Sequence, residues 1–324
     1  MNFGILGPGH IAAKMAETIT QMDGINCYAV ASRNMDRAKE FASTWGFSKA
    51  YGSYEAMLMD SEVELVYVAT PHSHHYECAK LCLEHGKHVL VEKAFTLSEV
   101  QATELIRIAR EKKLLLAEAI WTRYMPSRSM LETLLADGAI GEVTSMTANL
   151  GYLVAGKERL QQPELGGGAL LDLGVYTINF ALMVMKDKIK KITSDAIMSD
   201  TGVDLSNTIT ITFEGNKMAS LHSTTLARTN RLGVVSGTKG YLEIQNINNC
   251  EEIRVYDVED HLLATHKVPE QITGFEYQVK ACVDAIANGA IECEAMPHDE
   301  ILRVMHIMDE VRGQWGMKFP NETV

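Results

Sequence analysis

The sequence predicts an α/β protein of two domains, a doubly wound parallel sheet over 1–120 and an α+β domain over 121–324. In the first part, short strands that are apolar throughout alternate with amphipathic helices, which is typical of a parallel sheet covered on both faces. After about Met125 the pattern changes to alternating strands joined by short turns, which predicts an open, mostly antiparallel sheet. A helical block ends the chain.

The first domain is expected to alternate strands and helices regularly. Ser98 and Gln101 have the spacing of a capping box, so a helix should begin just after Ser98. The expected strands are NFGIL, INCYAVAS, VELVYVAT, HVLVEKA and LLLAEAI, and the expected helices cover about 11–22, 36–45, 75–85 and 98–111.

The second domain is expected to bind substrate and to form the contacts of an oligomer. Helices can cover one face of an antiparallel sheet and leave the other for a second copy of the chain, so a homodimer or higher homo-oligomer is expected. The expected strands lie in EVTSMTANL, SNTITITFEGNKMASLHSTTL, RLGVVSGTKGYLEIQN and EEIRVYDV, and the final helices in GFEYQVKACVDAIANG and HDEILRVMHIMDEVRGQWG.

Composition limits the classes of function. The 324 residues carry a formal net charge of −12, whereas a nucleic-acid-binding surface needs an excess of lysine and arginine. The stretch MNFGILGPGH lacks the features of a signal peptide, and no uncharged apolar run approaches the roughly 20 residues that span a bilayer. The six scattered cysteines have no metal-ligand spacing. We therefore expect a cytoplasmic protein with reduced cysteines, and neither nucleic acid nor membrane as partner.

The stretch from Gly7 to Ala12 fits the pattern GxGxxA directly after the first strand. The first glycine allows a tight turn, Gly9 lets a pyrophosphate approach the backbone, and the small Ala12 lets helix and strand pack closely. The helix N-terminus at His10 and Ile11 adds N–H groups that favour an anion. In this context the pattern predicts a dinucleotide site of the Rossmann type, and a purely structural turn is the alternative.

The end of the second strand bears on the choice of dinucleotide. NAD enzymes carry an acidic ribose-binding residue about 20 residues after the glycine motif. This chain has Ser32 and Arg33 there, so no carboxylate repels a 2′-phosphate and the arginine can pair with one. We expect NADP as cofactor, with NAD as the alternative. A solvated arginine is the other interpretation of Arg33.

Two groups of polar residues are candidates for chemistry. Glu92 and Lys93 follow the strand HVLV at the edge where open α/β sheets bind ligands, and a lysine there can polarise a carbonyl or accept a proton. Asp172 and Tyr176 lie four residues apart in an apolar helix, where a carboxylate without a partner would be costly. The alternatives are a structural Glu-Lys pair, and an aspartate cap with a core tyrosine.

Other reactive groups form weaker patterns. His72, His74 and His75 lie at a strand-to-helix junction where adjacent side chains diverge, so no metal site is expected. His75, one turn into the helix, can still face a cleft. The sequence has no GxSxG elbow, so a hydrolytic triad is unsupported.

Together these residues resemble the glucose-fructose oxidoreductase and inositol dehydrogenase family, often called Gfo/Idh/MocA, over essentially the whole chain. The stretches that carry the resemblance are GPGHIA, ATPHSHH, GKHVLVEKA, GGGALLDLGVY and RGQWGMKFP. EAIWTRYMP is similar to the branch of dimeric dihydrodiol dehydrogenase and NADP-linked xylose dehydrogenase. The chain departs from the family in having Ala94 where proline is usual, and His72 where asparagine is common.

The resemblance implies roles for the residues that match its motifs. Lys93 corresponds to the family lysine that reaches nicotinamide and substrate, and Asp172 and Tyr176 to the acidic residue and the tyrosine of the buried helix. Replacing the usual proline with Ala94 is expected to loosen the turn that places Lys93. The residues expected to contact the cofactor are Gly7, Gly9, His10, Ile11, Ala12, Ser32, Arg33, Thr70, Pro71, His72, His75, Glu92, Lys93, Trp121 and Arg123.

The function implied by the resemblance is that of an NAD(P)-dependent oxidoreductase, in which a hydride passes between nicotinamide and a carbinol carbon of a sugar, diol or other small polyhydroxy substrate. Tyr176 would move the hydroxyl proton, while Lys93 stabilises the alkoxide and lowers the pKa of the tyrosine. Asp172 would orient the lysine or bind a substrate hydroxyl. Two alternatives are redox-assisted glycoside cleavage with tightly held NAD, and a nucleotide-sensing protein without turnover.

Overall fold

A computed structural model describes residues 1–323, which form two compact units. The first unit comprises 1–121, 271–305 and a terminal segment beginning at Glu322, and the second comprises 122–270 and 306–321. Residues 271–305, which the sequence places with the second domain, are therefore grouped with the first unit, whereas 306–321 remain with the second.

The first unit contains a parallel sheet of six strands, which confirms the predicted doubly wound fold. The strand order is 3-2-1-4-5-6, with helices in the connections. The strands are β1 (Asn2–Leu6), β2 (Asn26–Ala31), β3 (Lys49–Tyr51), β4 (Leu65–Val68), β5 (His88–Glu92) and β6 (Leu116–Ala119). The helices are α1 (His10–Ile19), α2 (Met35–Trp45), α3 (Tyr54–Leu58), α4 (His75–Glu84) and α5 (Glu99–Lys112).

The start of α5 follows the predicted cap. Ser98 Oγ accepts a hydrogen bond from the N–H of Gln101 at 3.4 Å. The side chain of Gln101 reaches back to the N–H of Leu97 rather than that of Ser98, at 3.2 Å. The helix therefore begins where the capping pattern indicates, although the reciprocal bond is shifted by one residue.

The second unit contains a sheet of eight strands in the order 14-13-12-11-7-10-9-8. Only the pairing of the seventh and tenth strands is parallel, so the predicted mostly antiparallel sheet is confirmed. The strands are β7 (Val143–Gly151), β8 (Ile189–Met198), β9 (Asp204–Phe213), β10 (Lys217–Thr224), β11 (Gly233–Gly237), β12 (Gly240–Ile244), β13 (Glu252–Tyr256) and β14 (Leu262–Lys267). The main helices are α6 (Pro126–Ala136), α7 (Glu158–Gln161) and α8 (Val175–Val184).

The core of the second unit lies between α8 and one face of this sheet. The α8 helix packs on β7 and β10, and every residue of α8 is buried. A five-residue π-helix, Leu170–Gly174, leads directly into α8. The helical segment 163–184 is long and apolar enough to cross a membrane, but its most apolar window is entirely buried in the protein, as expected of a core helix.

Two helices complete the chain, α9 (Glu276–Ala287) and α10 (His298–Trp315). Main-chain and side-chain bonds to the edge strand β6 explain why the segment around α9 belongs to the first unit. The N–H of Leu116 donates to the carbonyl of Ile291 at 3.0 Å, and His298 Nε2 lies 2.9 Å from the carbonyl of Leu116.

A carboxylate network stabilises the loop between α3 and β4. Asp60 Oδ2 accepts hydrogen bonds from Lys49 Nζ at 2.7 Å and from the hydroxyls of Tyr51 and Tyr28 at 2.6 and 3.2 Å. Asp60 Oδ1 accepts one from the N–H of Glu62 at 3.0 Å. The bond from Lys49, followed by that from Tyr51, holds the pKa of the Asp60 carboxyl well below its usual range.

We predict that Asp60→Asn lowers the melting temperature by about 2–5 °C at neutral pH, because it weakens several bonds to an ionised acceptor. A depressed pKa gives stability that is present above the unfolded-state pKa of about 4 and is lost as pH falls below it. The difference from the unaltered protein should therefore shrink in acid. Asp23→Asn, at an exposed position of the same unit, is the control. A difference that stays constant down to about pH 3 would contradict the assignment.

Candidate active site

The glycine loop between β1 and α1 leaves backbone N–H groups accessible at a helix N-terminus. Gly7 has φ of +88°, and a Cβ there would lie 3.2 Å from the carbonyl oxygen of Ala69. At Gly9, a Cβ would meet no atom of residues 1–323 within 4 Å. Gly9 precedes α1 without a side-chain cap, so the first-turn N–H groups are left for another acceptor.

Three further predicted residues form the first turn of α1. His10 is exposed and Ile11 partly exposed, whereas Ala12 is fully buried. The small residue therefore faces the sheet, and the two larger ones lie beside the accessible side of the loop.

The end of β2 brings a second arginine to the glycine loop. The hydroxyl of the buried Ser32 accepts from the N–H of Asn34 at 3.2 Å, and Asn34 in turn caps α2. Arg37, in the first turn of α2, donates from its guanidinium to the carbonyl of Pro8 at 3.4 Å. Arg33 is exposed. Arg37 is therefore a second arginine at the glycine loop, in addition to Arg33, and it is not among the residues that the sequence predicts.

The positive charge of Arg33 acts on two groups outside β2, His74 after β4 and Tyr54 in α3. Burial lowers the pKa of His74, and the positive charge of Arg33 lowers it further. The same charge opposes the rise in the pKa of Tyr54 that burial causes. Cationic character is therefore present around the end of β2, where NAD enzymes carry an acid.

His75 joins the loops that follow β4 and β5. Its Nδ1 lies 2.8 Å from the carbonyl oxygen of Ala94, and its Nε2 lies 2.9 Å from that of Thr70. The ring is almost fully buried, and burial lowers its pKa to about 4. His72 packs edge-on against it, with ring centroids 5.6 Å apart. A neutral imidazole has one N–H and can donate to only one of these two carbonyls at a time, and a direct cofactor contact by this ring stays a prediction.

Glu92 and Lys93 have different environments at the end of β5. The carboxylate of Glu92 is buried and accepts from the hydroxyl of Tyr67 and from the N–H of Lys93, the latter at 3.2 Å. The side chain of Lys93 is partly exposed. The Lys93–Ala94 peptide is cis, and Ala94 is fully buried with its carbonyl against His75. These contacts support the turn, and its expected loosening by the loss of proline stays a prediction.

The first unit brings most of the predicted cofactor residues to one edge. The glycine loop, Ser32, Thr70 with Pro71, and Lys93 each follow the carboxyl end of a strand of one parallel sheet. Since these ends meet at the same edge, they form a single candidate binding surface.

In the second unit, Asp172 has a partner that the sequence argument missed. Asp172 lies in the π-helix, and both its oxygens accept from Nη2 of Arg159, at 3.1 and 3.2 Å. Tyr176 follows in the first turn of α8 and is largely buried. Asp172 thus lies in the π-helix and Tyr176 in the α-helix that follows it, and the same-face geometry expected for the two side chains stays a prediction.

Trp121 and Arg123 make contacts within their own units. The Trp121 ring lies 4.7 Å from that of Phe275, and a Cβ at Gly274 would lie 2.6 Å from it. Arg123 is buried and donates from Nε to Oδ1 of Asn179 at 2.8 Å. These contacts give both residues structural roles, and their predicted contacts with a cofactor stay predictions.

One cluster has the composition of a metal site. Asp257, Glu259 and His261 place ligand atoms within 4.8 Å of one another at the turn after β13. However, Asp257 Oδ1 accepts from the N–H groups of Glu259 and His261, both at 2.9 Å, and Oδ2 contacts His261 Nδ1. These bonds account for the cluster as a stabilised turn.

Comparison with known proteins gives matches over nearly the whole chain. A model described as an oxidoreductase family with an NAD-binding Rossmann fold matches residues 1–119, and a GFO/IDH/MocA C-terminal domain model matches 129–243. Trans-1,2-dihydrobenzene-1,2-diol dehydrogenases of Xenopus laevis and Homo sapiens are 31% and 32% identical, covering 98% and 99% of this chain and 99% of each relative. The chain belongs to the Gfo/Idh/MocA oxidoreductase family.

Solved structures agree with this assignment. A 3-ketoreductase from Actinomadura kijaniata, in complex with NADP and TDP-benzene, matches this family member with a TM-score of 0.89 and 27% identity over 97% of each chain. An aldose-aldose oxidoreductase from Caulobacter crescentus matches with a TM-score of 0.88 over 97% of each chain, but at 20% identity it supports the fold alone. The predicted resemblance is confirmed, and the protein is an NAD(P)-dependent oxidoreductase.

The first unit of this oxidoreductase fits the dinucleotide that the family binds. A pyrophosphate needs close approach to the backbone and unpaired donors, which the open side of Gly9 and the uncapped first turn of α1 supply. Gly7 is required for a different reason, since its positive φ and the neighbouring carbonyl of Ala69 disfavour a side chain.

Proposed function

We propose that the protein is an NADP-preferring dehydrogenase or reductase acting on a secondary hydroxyl of a small diol, sugar or other polyhydroxy compound. The observation that carries the cofactor preference is the contact of Arg37 with the carbonyl of Pro8, beside Arg33 and without an acid at the end of β2. Two guanidinium groups favour a 2′-phosphate over a 2′-hydroxyl. The names of the dihydrodiol dehydrogenase relatives support the substrate class.

The chain's residues divide into those that hold the cofactor and those that act on the substrate. The glycine loop and the first turn of α1 would hold the pyrophosphate, and Arg33 and Arg37 the 2′-phosphate. When bound, the nicotinamide supplies the hydride acceptor or donor. The protein's part is to position the substrate and to manage its hydroxyl proton.

Tyr176 is proposed to move that proton and Lys93 to stabilise the alkoxide that forms. Both roles are those that the family resemblance implies for these positions. The hydrogen bonds of Glu92 and His75 hold the turn that carries Lys93. Asp172, ion-paired with Arg159, would accept a hydrogen bond from a second hydroxyl of the substrate.

Arg33→Ala and Arg37→Ala test the cofactor preference. Each should raise the KM for NADP by about tenfold or more, the equivalent of a lost charge-assisted contact, while the KM for NAD stays within about twofold. Lys39→Ala removes an exposed cation of the same helix and serves as the control. Equal effects of the arginine changes on both cofactors would contradict the preference.

Lys93→Met and Tyr176→Phe test the proposed chemistry. Each should lower kcat by about 100-fold, or ~3 kcal/mol, with NADP binding nearly unchanged. Because both residues act on one proton, the double variant should cost little more than either change alone.

Lys87→Met is the matched control for the lysine. This lysine precedes β5, is buried, and donates to the carbonyls of Asp60 and Val63 at 2.7 and 2.9 Å. Its loss should lower the melting temperature and leave the specific activity within a few fold. If Lys93→Met behaves in the same way, the catalytic role of Lys93 is wrong.

A homodimer is proposed through the sheet face opposite α8. Thr147, Thr208 and Ser220 are exposed on that face, and the rings of Tyr241 and Tyr256 stack on it with centroids 4.7 Å apart. Met218 is 44% exposed on the same face. Light scattering at micromolar concentration should give twice the mass of the chain, and Met218→Glu should shift the mass toward that of one chain. A single-chain mass for the unaltered protein would contradict the proposal.

A further inference from the structure

A buried carboxylate holds the start of the helical segment that carries Asp172 and Tyr176. Asp204, the first residue of β9, is fully buried. Its Oδ2 accepts hydrogen bonds from the N–H of Leu170 at 2.9 Å and from Nδ2 of Asn207 at 2.7 Å. Leu170 is the first residue of the π-helix, so this carboxylate acts as a cap donated by a distant strand.

The residues around Asp204 fix the carboxylate in this place. Asn207 Oδ1 accepts from the hydroxyl of Ser223 on β10 at 2.8 Å, which orients the amide that bonds Asp204. Gly168 has φ of +105°, and a Cβ there would collide with Asp204 Oδ1. The backbone therefore approaches the carboxylate as closely as a glycine allows, just before the π-helix begins.

Opposing effects act on the charge of Asp204. Burial disfavours the ionised form, whereas the amide of Asn207 and the N–H groups of Leu170 and Ala169 favour it. The N-terminal end of a helical segment also stabilises a negative charge. The effect of burial is the larger, and it raises the pKa of Asp204 to about 6.

Other charged groups near this helix start have partners of their own. Asp172, two residues after Leu170, is ion-paired with Arg159 of α7. On β10, His222 Nε2 lies 3.3 Å from the hydroxyl of Ser206. The titration of Asp204 is therefore governed by its own burial and by the neutral donors around it.

We propose that Asp204 is a positioning residue for Asp172 and Tyr176, and that it holds the helix start more firmly when ionised than when neutral. A protonated carboxyl is a weaker acceptor, and one of its oxygens becomes a donor. The N–H groups at the start of the π-helix then lose part of their support. This inference rests on the proposed function only through the roles of Asp172 and Tyr176.

Three variants test the proposal, with NADP and trans-1,2-dihydrobenzene-1,2-diol as the probe. The unaltered enzyme should lose kcat below about pH 6. Asp204→Asn keeps one acceptor oxygen but does not titrate. At pH 8 its kcat should therefore be about fivefold below that of the unaltered enzyme, the level that the unaltered enzyme reaches in acid. The kcat of the variant should show no further loss from this group near pH 6. Asp204→Ala should lose more, and the exposed Asp200→Asn should match the unaltered enzyme. NADP binding should be unchanged in all three.

A second measurement needs no substrate. Because the pKa of Asp204 is raised in the folded state, the folded protein loses stability as the pH rises from about 4 to above 6. Asp204→Asn has no such group. The melting temperature of the unaltered protein, measured relative to that of Asp204→Asn, should therefore fall across this range. The curve of Asp200→Asn should run parallel to that of the unaltered protein.

The two measurements separate the possible failures. Parallel melting curves for Asp204→Asn and the unaltered protein, or a pH profile of kcat that is the same in both, would overturn the proposal. A lower melting temperature of Asp204→Ala with unchanged kcat would leave Asp204 only a structural role and also overturn it. Full activity in Tyr176→Phe would instead refute the proposed function, and the melting curves would still decide whether Asp204 titrates as argued.

Discussion

The placement of Lys93 depends on two buried polar side chains beside it. Glu92 links the end of β5 to Tyr67 on β4 and accepts the N–H of Lys93, while His75 spans the carbonyls of Thr70 and Ala94. Loops at the carboxyl edge of a parallel sheet carry the ligand-binding groups, yet they have no ladder bonds of their own. At the turn after β5, the buried side chains of Glu92 and His75 supply hydrogen bonds in place of strand pairing. The candidate catalytic lysine is thus held by residues that need not touch the substrate.

The fold could be predicted wherever an element has enough length to show its period. The apolar strands β1, β4 and β5 and the helices between them follow from pattern alone. Shorter or edge elements were missed. β3 has three residues, and the edge strand β14 has no buried residue, so neither shows the usual apolar signal.

The candidate site could be predicted only for residues that lie in motifs. The glycine loop, Lys93, Asp172 and Tyr176 sit in recognisable stretches, but their partners come from elsewhere in the chain. Arg159 is thirteen residues from Asp172, and a lone arginine in a short polar helix carries no local signal. Arg37 could have been found, because it lies four residues after Arg33, in the first turn of the helix that the sequence predicts from residue 36. Partners that meet only through tertiary packing require the structure.

In the second unit, side chains from other elements likewise support the π-helix. An irregular turn leaves main-chain groups that a regular helix would satisfy, and Asp204 and Arg159 bind groups in and around that turn. Wider turns of this kind are frequent at functional sites. The unit therefore combines an apolar helix, which packs firmly on the sheet, with a polar start that can present Asp172 and Tyr176 to a substrate.

The proposed roles of Lys93, Asp172 and Tyr176 all depend on the passage of a hydride from a carbinol carbon of the substrate to the cofactor. The most direct measurement uses trans-1,2-dihydrobenzene-1,2-diol, deuterated at its carbinol carbons, with NADP and the purified protein. Mass spectrometry and NMR of the recovered cofactor should find one deuterium at C4 of the reduced nicotinamide for each diol oxidised. Turnover of this or another deuterated diol or sugar without labelled NADPH, or no turnover of any of them, would contradict the account.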